Sequence, residues 1–417
     1  MNWRTLFASG PTAWAAGLLI PGLVLFGGRN TDSAVPYWES LTAQSTVSLG
    51  FVTAVCGACA AWEGARLESA RIWDWAPARN PLRIAVEHLT PVALLGLTGL
   101  LTALVTYYIS NPAPTGRPSA PILGTACLVV LSHVAVGFVV GRTLHRLLGA
   151  ALMLVVGYLW GFWPAALSSP AWLRHLNGQG VGECCTLAQE ASARSLAATA
   201  FFSTALIAGA LAALLLRSGT FRISVAGGAT LACIAASVAL AVPLGFDGTQ
   251  QRDPAALKCT GDRPRICLWP EQQPHEDEFT RTAESVRERL EAVGVELPER
   301  IEYSLVKPRE ADLLRATATS VLPGEPPACA RVPNARYPGY EAAGVIYAWL
   351  TLTAGTPPHE LSGQWPPEEL QLAQQVRELP VAAQKAWFER NIRSVEDCAV
   401  TPELSPASFH DPTDGRS

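Results

Sequence analysis

Lysine is almost missing from this 417-residue chain, occurring only as Lys258, Lys307 and Lys385, so the basic side chains are nearly all arginine. Charge as a whole is scarce at 16 % of residues, and the net value of −4 is too small to suggest a nucleic-acid partner. The P-loop pattern G-x-x-x-x-G-K-[ST] is absent, which excludes ATP hydrolysis of that kind by this chain alone. Neither a G-x-S-x-G elbow nor a paired-carboxylate pattern stands out. His275-Glu276 and His359-Glu360 begin like a zinc-protease helix, but each lacks the second histidine one turn later. With no catalytic set, metal motif or cofactor motif, the chain is expected not to be an enzyme. A small-residue cleavage site is also missing after the first apolar run, which is therefore expected to be a retained span rather than a removed signal.

Apolar residues are what the chain has, at 49 %. Seven runs, at 11–27, 45–62, 85–109, 121–141, 148–167, 196–216 and 223–246, approach the roughly twenty residues that cross a ~30 Å hydrocarbon core. Pro21 and Pro243 fall inside them, and neighbouring helices can satisfy the carbonyls they free. The last run reads as both the end of a membrane block and the stem of the C-terminal half.

One alternate set of joints carries Arg4, then Arg66, Arg71, Arg79 and Arg83, then Arg142 and Arg146, then Arg217 and Arg222. The other set has only Arg29, Arg117, Arg174 and Arg194. The positive-inside rule then places the N-terminus in the cytoplasm of a cell membrane and, after an odd number of spans, the C-terminal half outside. Tyr107, Tyr108, Tyr158, Trp160 and Trp163 close two spans on the outer side, where amphipathic rings settle.

Cysteine agrees with that sidedness. Cys56, Cys59, Cys127 and Cys233 lie in spans and read as small packing residues, so a redox or zinc role for Cys56-x-x-Cys59 is not expected. Cys184, Cys185, Cys259, Cys267, Cys329 and Cys398 fall in outer segments, where disulfides are permitted. Six cysteines allow fifteen pairings; Cys259 with Cys267 is the first guess.

Two places in the membrane half could carry function. The joint 63–83, EGARLESARIWDWAPARNPLR, interleaves Leu67, Ile72, Trp73 and Trp75 with arginines. It could lie among lipid headgroups, form a short cytoplasmic helix that docks a partner, or be a loop that merely obeys the charge rule. His133 is the ionisable side chain near mid-membrane: a functional candidate, or a group satisfied by an interhelical bond beside Ser132. A chain of carboxylates across the spans is lacking, which counts against a proton- or ion-driven carrier.

From Asp247 the composition turns to Pro, Glu and Arg. A hairpin around Cys259 and Cys267 is expected, then a helix whose one face is Phe279, Ala283, Val286, Leu290 and Val293, capped by Gly294. Further helices are expected over 310–321, 340–353, 368–378 and from Pro380 to Cys398. The fold class is thus mainly α: a polytopic α-helical bundle of about seven spans (1–246), a small, mostly helical extracytoplasmic domain (247–401) and a disordered tail (402–417).

The span pattern, with its Arg/Trp-rich joint after the second span, resembles the membrane subunits of actinobacterial type-2 ABC exporters. The stretch CTGDRPRICLWPE, Cys259 to Glu271, is similar to the start of the extracytoplasmic tail in a group of such permease-like proteins. The resemblance implies a separate ATPase polypeptide docking near Arg66, Arg71, Trp73, Trp75, Arg79 and Arg83, and a homodimer or heterodimer of membrane subunits in contact with membrane lipid. It brings no catalytic residues. A seventh span and a large outer domain depart from the usual six-span permease. The rival class is a membrane-anchored binding or signalling protein; a degenerate surface peptidase is a third.

Overall fold

The computed structural model describes residues 10–30, 35–75, 80–111, 113–182, 184–215, 220–306, 309–331, 337–363 and 365–409, with no side-chain description at 74–75 and 220–224. The chain divides into two compact units, Met1–Arg252 and Asp253–Ser417.

The first unit is a helical bundle with, among the described residues, seven helices long and apolar enough to cross a membrane. They are α1 (Thr12–Arg29); α2 (Trp38–Ser45), which runs through a 3-10 turn into α3 (Leu49–Ser69); α5 (Pro81–Ser110); α6 (Ala120–Thr143); α7 (Arg146–Ala166); α8 (Ala193–Leu215); and α9 (Thr220–Ala241). Between α3 and α5 lies the short α4 (Ile72–Trp75). The last candidate span, Val225–Leu244, includes Pro243 as expected; α9 itself stops at Ala241 and Pro243 falls in the 3-10 turn Val242–Leu244 that continues it.

Helix α3 is the axis of this bundle. Seventy-two per cent of its apolar stretch is buried, against 11 % for α9. Its small residues explain why. Gly50, Ala54 and Gly57 meet Gly161, Gly157 and Met153 of α7, while Gly57, Ala61 and Gly64 meet Gly137, Gly141 and Phe138 of α6. A Cβ at Gly141 would overlap the Ala61 carbonyl, and one at Gly157 would come within 2.8 Å of the Ala54 Cα. In lipid, leucine gains nothing by leaving the hydrocarbon, so close backbone approach supplies the attraction instead.

The joints gather at two ends. At one, Trp38 stacks on Tyr108 at 5.5 Å, and Phe51, Tyr158 and Phe162 form an aromatic cluster. Tyr107 is fully buried against the bundle, whereas Tyr108 and Trp163 are exposed. At this end β1 (Gln189–Ala191) pairs antiparallel with β2 (Thr249–Gln251). That pairing draws residues beyond 246 back onto the bundle, so the boundary between units lies after Arg252 rather than after Phe246.

The second unit contains a three-stranded sheet in the order β3 (Lys258–Thr260), β4 (Arg265–Leu268), β5 (Arg300–Glu302). β3 and β4 form the expected hairpin, with Cys259 opposite Cys267. β4 and β5 run parallel, connected through α10 (Glu276–Glu291). Phe279 and Ala283 of α10 pack on Ile266, Ile301 and Tyr303 in one core. Gly294, at φ +76°, ends the helix as expected, and the Val295 N–H donates to the Leu290 carbonyl at 2.9 Å.

The larger core joins α11 (Glu310–Thr319), α12 (Gly339–Thr353), the short α13 (Pro358–Leu361), α14 (Pro367–Arg377) and α15 (Val381–Glu396) around the fully buried Trp349 and Trp387. The expected disorder from 402 is overturned for 402–409. Asn391 exchanges two 2.8 Å hydrogen bonds with the Glu403 backbone, and the Trp387 indole N–H donates to the Leu404 carbonyl at 3.1 Å. Residues 410–417 lie outside the described residues.

Candidate functional site

The residues singled out from the sequence as a docking joint do not form a free loop. α3 runs on to Ser69, so Glu63 and Arg66 are helical. Glu63 is buried. Its Oε2 lies 2.6 Å from Arg66 Nη2 and 3.8 Å from His88 Nδ1 of α5, and the same Arg66 nitrogen lies 3.3 Å from His88 Nδ1. A carboxylate at the end of an apolar helix is costly unless paired, and Arg66 at i+3 pairs it.

One turn on, the Arg142 guanidinium of α6 donates to Glu68 at 3.2 Å and lies 4.7 Å over the Trp73 ring; Arg146 stands 5.2 Å from the Trp62 ring. Leu67 and Trp73 belong to the bundle core, with Ile72 packed against it. Trp73 and Ile72 are therefore folded onto the bundle. Arg71 is exposed at the turn into α4, at φ +48°. Arg83, in the first turn of α5, is exposed and pairs with Glu87 at 3.1 Å. Trp75 ends α4 but its side chain lies outside the described residues, as does Arg79 altogether.

His133 is buried in α6, and its Nδ1 donates to the Val129 carbonyl of its own helix at 2.8 Å. Because a carbonyl only accepts, Nδ1 carries the proton. The expected interhelical bond is replaced by an intrahelical one. Among the described residues no three His, Cys, Asp or Glu side chains come together as a metal site.

The six cysteines expected to lie outside the spans are paired among themselves: Cys184 with Cys185, Cys259 with Cys267, and Cys329 with Cys398. Of the other four, Cys56 and Cys59 are buried packing residues as expected, whereas Cys233 is exposed.

Sequence reasoning missed a polar knot at the other end of the bundle, between α7 and α8. His175 places Nδ1 2.8 Å from Ser195 Oγ and Nε2 3.2 Å from the Gly245 carbonyl. Nε2 must donate to that carbonyl, leaving Nδ1 to accept from the serine. Burial pushes the imidazole below its ordinary range; the Gly245 carbonyl opposes this, and the Arg174 charge adds to it. Asn177 donates to the carbonyls of Trp160 and Gly161, and Gln179 to that of Val47.

Beside this knot is a cavity of about 350 Å³ lined by Arg174, Gln179, Gln189, Asp247 and Thr249. Arg174 is 5 % exposed, donates to the Ala165 carbonyl and lies 3.5 Å over the Phe246 ring. The polar run HLNGQG between two apolar segments was the available signal. In the second unit a larger cleft of about 750 Å³ is lined by Arg300, Glu302, Asp312, Arg315 and Tyr347.

A family model described as "Domain of unknown function (DUF7224)" matches residues 266–398, from β4 through α15. No curated protein matched the chain, and no solved structure did.

Proposed function

We propose that this multi-pass membrane protein is the permease-like subunit of an ABC-type exporter, driven by an ATPase on a separate polypeptide. The observation that carries the reading is α4, a short helix between two long apolar ones at the arginine-rich end of the bundle. It is anchored by Trp73 in the core and by Arg142 above that ring. A short helix held against the bundle in this way, with Arg71 exposed at its start, can pass force from a docked partner into α3. In this reading the arginine-rich end is cytoplasmic. The second unit and the disulfides then lie in an oxidising compartment, which accords with six paired cysteines. Two membrane subunits would form the working transporter.

Arg66 is a poor choice for testing docking, because it neutralises buried Glu63. Arg71→Glu with Arg79→Glu is the informative variant. It should lose the co-purifying ATPase while keeping its yield and orientation; unchanged co-purification would rule out this joint as the contact.

The cleft beside β5 favours a second reading, in which the spans anchor an outer domain that binds a ligand. An ATPase-free native complex would support it.

A further inference from the structure

The flank of the bundle between α5, α6 and α8 holds an apolar groove of about 270 Å³, lined among others by Val86, Leu89 and Ala93 of α5, Leu131 and Ala135 of α6, and Leu211 of α8. It does not run the full depth of the bundle. Along α5 it extends from Leu82 to Ala93, about 16 Å at ~1.5 Å per residue, which is half of a ~30 Å hydrocarbon core. A transmembrane helix would need the whole depth. One acyl chain needs one leaflet.

The end of the groove is basic. Arg83 stands three residues before Val86 and seven before Thr90, so it lies at the edge of the α5 strip that lines the groove, beside Leu82 at the groove's end. Its side chain is 79 % exposed, and Glu87 engages only its Nε at 3.1 Å. The terminal guanidinium nitrogens are thus placed to grip a phosphate, which arginine does in a forked geometry. Arg142, in the last turn of α6, is already held by Glu68 and the Trp73 ring, which leaves Arg83 as the charge available to a headgroup.

We propose that this groove is a binding site for one anionic glycerophospholipid, with an acyl chain between α5, α6 and α8 and its phosphate on Arg83. The site depends on the chain lying in a bilayer and is independent of the exporter reading.

The test uses the full chain, purified in detergent, delipidated and titrated with phosphatidylglycerol or phosphatidylcholine, with bound lipid counted by native mass spectrometry. The expected result is one saturable phosphatidylglycerol per chain, held about fivefold more tightly than phosphatidylcholine, the contrast one arginine near a charged headgroup provides. Arg83→Gln should remove the preference and leave the weaker binding. Ala135→Trp should fill the groove and abolish both. If that variant elutes or melts unlike the parent, Ala210→Leu narrows the same groove from α8. The proposal is overturned by the lack of a saturable site or by a headgroup preference that survives Arg83→Gln. It is also overturned if Ala135→Trp dissociates a dimer while lipid binding persists, which would put a second copy in the groove.

Discussion

The two units hold together by opposite means. In the membrane unit the tightest contacts are made by the smallest residues, with Gly141 against Ala61 and Gly157 against Ala54. In the second unit they are made by the largest, Trp349 against Trp387 and Phe388 at 5.8 and 5.5 Å. Water rewards burial of area, so the second unit buries indoles and adds disulfides. Lipid gives no such reward, so the bundle relies on backbone proximity and on a few polar contacts at its ends, such as Glu63 with Arg66 and His175 with Ser195.

That contrast can be broken experimentally. Trp349→Ala should have the largest effect, destabilising the second unit by about 3–5 kcal/mol and exposing it to limited proteolysis. Removing the Cys329–Cys398 pair as a double alanine variant should rank next. It frees a loop closed over a separation of 69 residues and should cost about 4 kcal/mol, seen as a lower denaturant midpoint.

Gly141→Leu should cost about 3 kcal/mol in the membrane unit by forcing α6 off α3, measured as loss of monodisperse protein after solubilisation. The same glycine-to-leucine exchange at Gly324, where an added Cβ meets nothing within 4 Å, should have little effect. That pair sharpens the comparison most.

The smallest expected effect concerns pH. His175 has a depressed folded-state value, so its unfolded form takes up a proton first as pH falls. The stability that neutral His175 contributes is fully present above about pH 6.5 and is lost progressively below it. Thermal melts should decline in that range for the parent and decline less for His175→Gln, which retains a donor.

Much of the membrane unit was legible because roughly twenty apolar residues leave few alternatives to a span. Which helix occupies the centre was not. Gly50, Gly57 and Gly64 count as weakly apolar in a hydropathy reading, yet their lack of a side chain makes α3 the axis. The cysteine hairpin was visible from its spacing, whereas β5 was hidden, since Ile301 is its one inward residue between Arg300 and Glu302. Nor does a Pro- and Ser-rich composition reveal that Glu403 and Leu404 would bind Asn391 and Trp387. In the joint, the alternation of arginine and tryptophan suggested an interfacial strip. What it could not show is the long-range partner: Arg142 comes from 69 residues beyond Trp73 and covers its ring.

The exporter reading is tested most directly by affinity capture of the unaltered chain from its native membrane, with mass spectrometry quantifying what accompanies it. The account predicts an ABC ATPase near one-to-one with the captured chain. Recovery of envelope or regulatory proteins without an ATPase would contradict it and leave a membrane-anchored binding protein in its place.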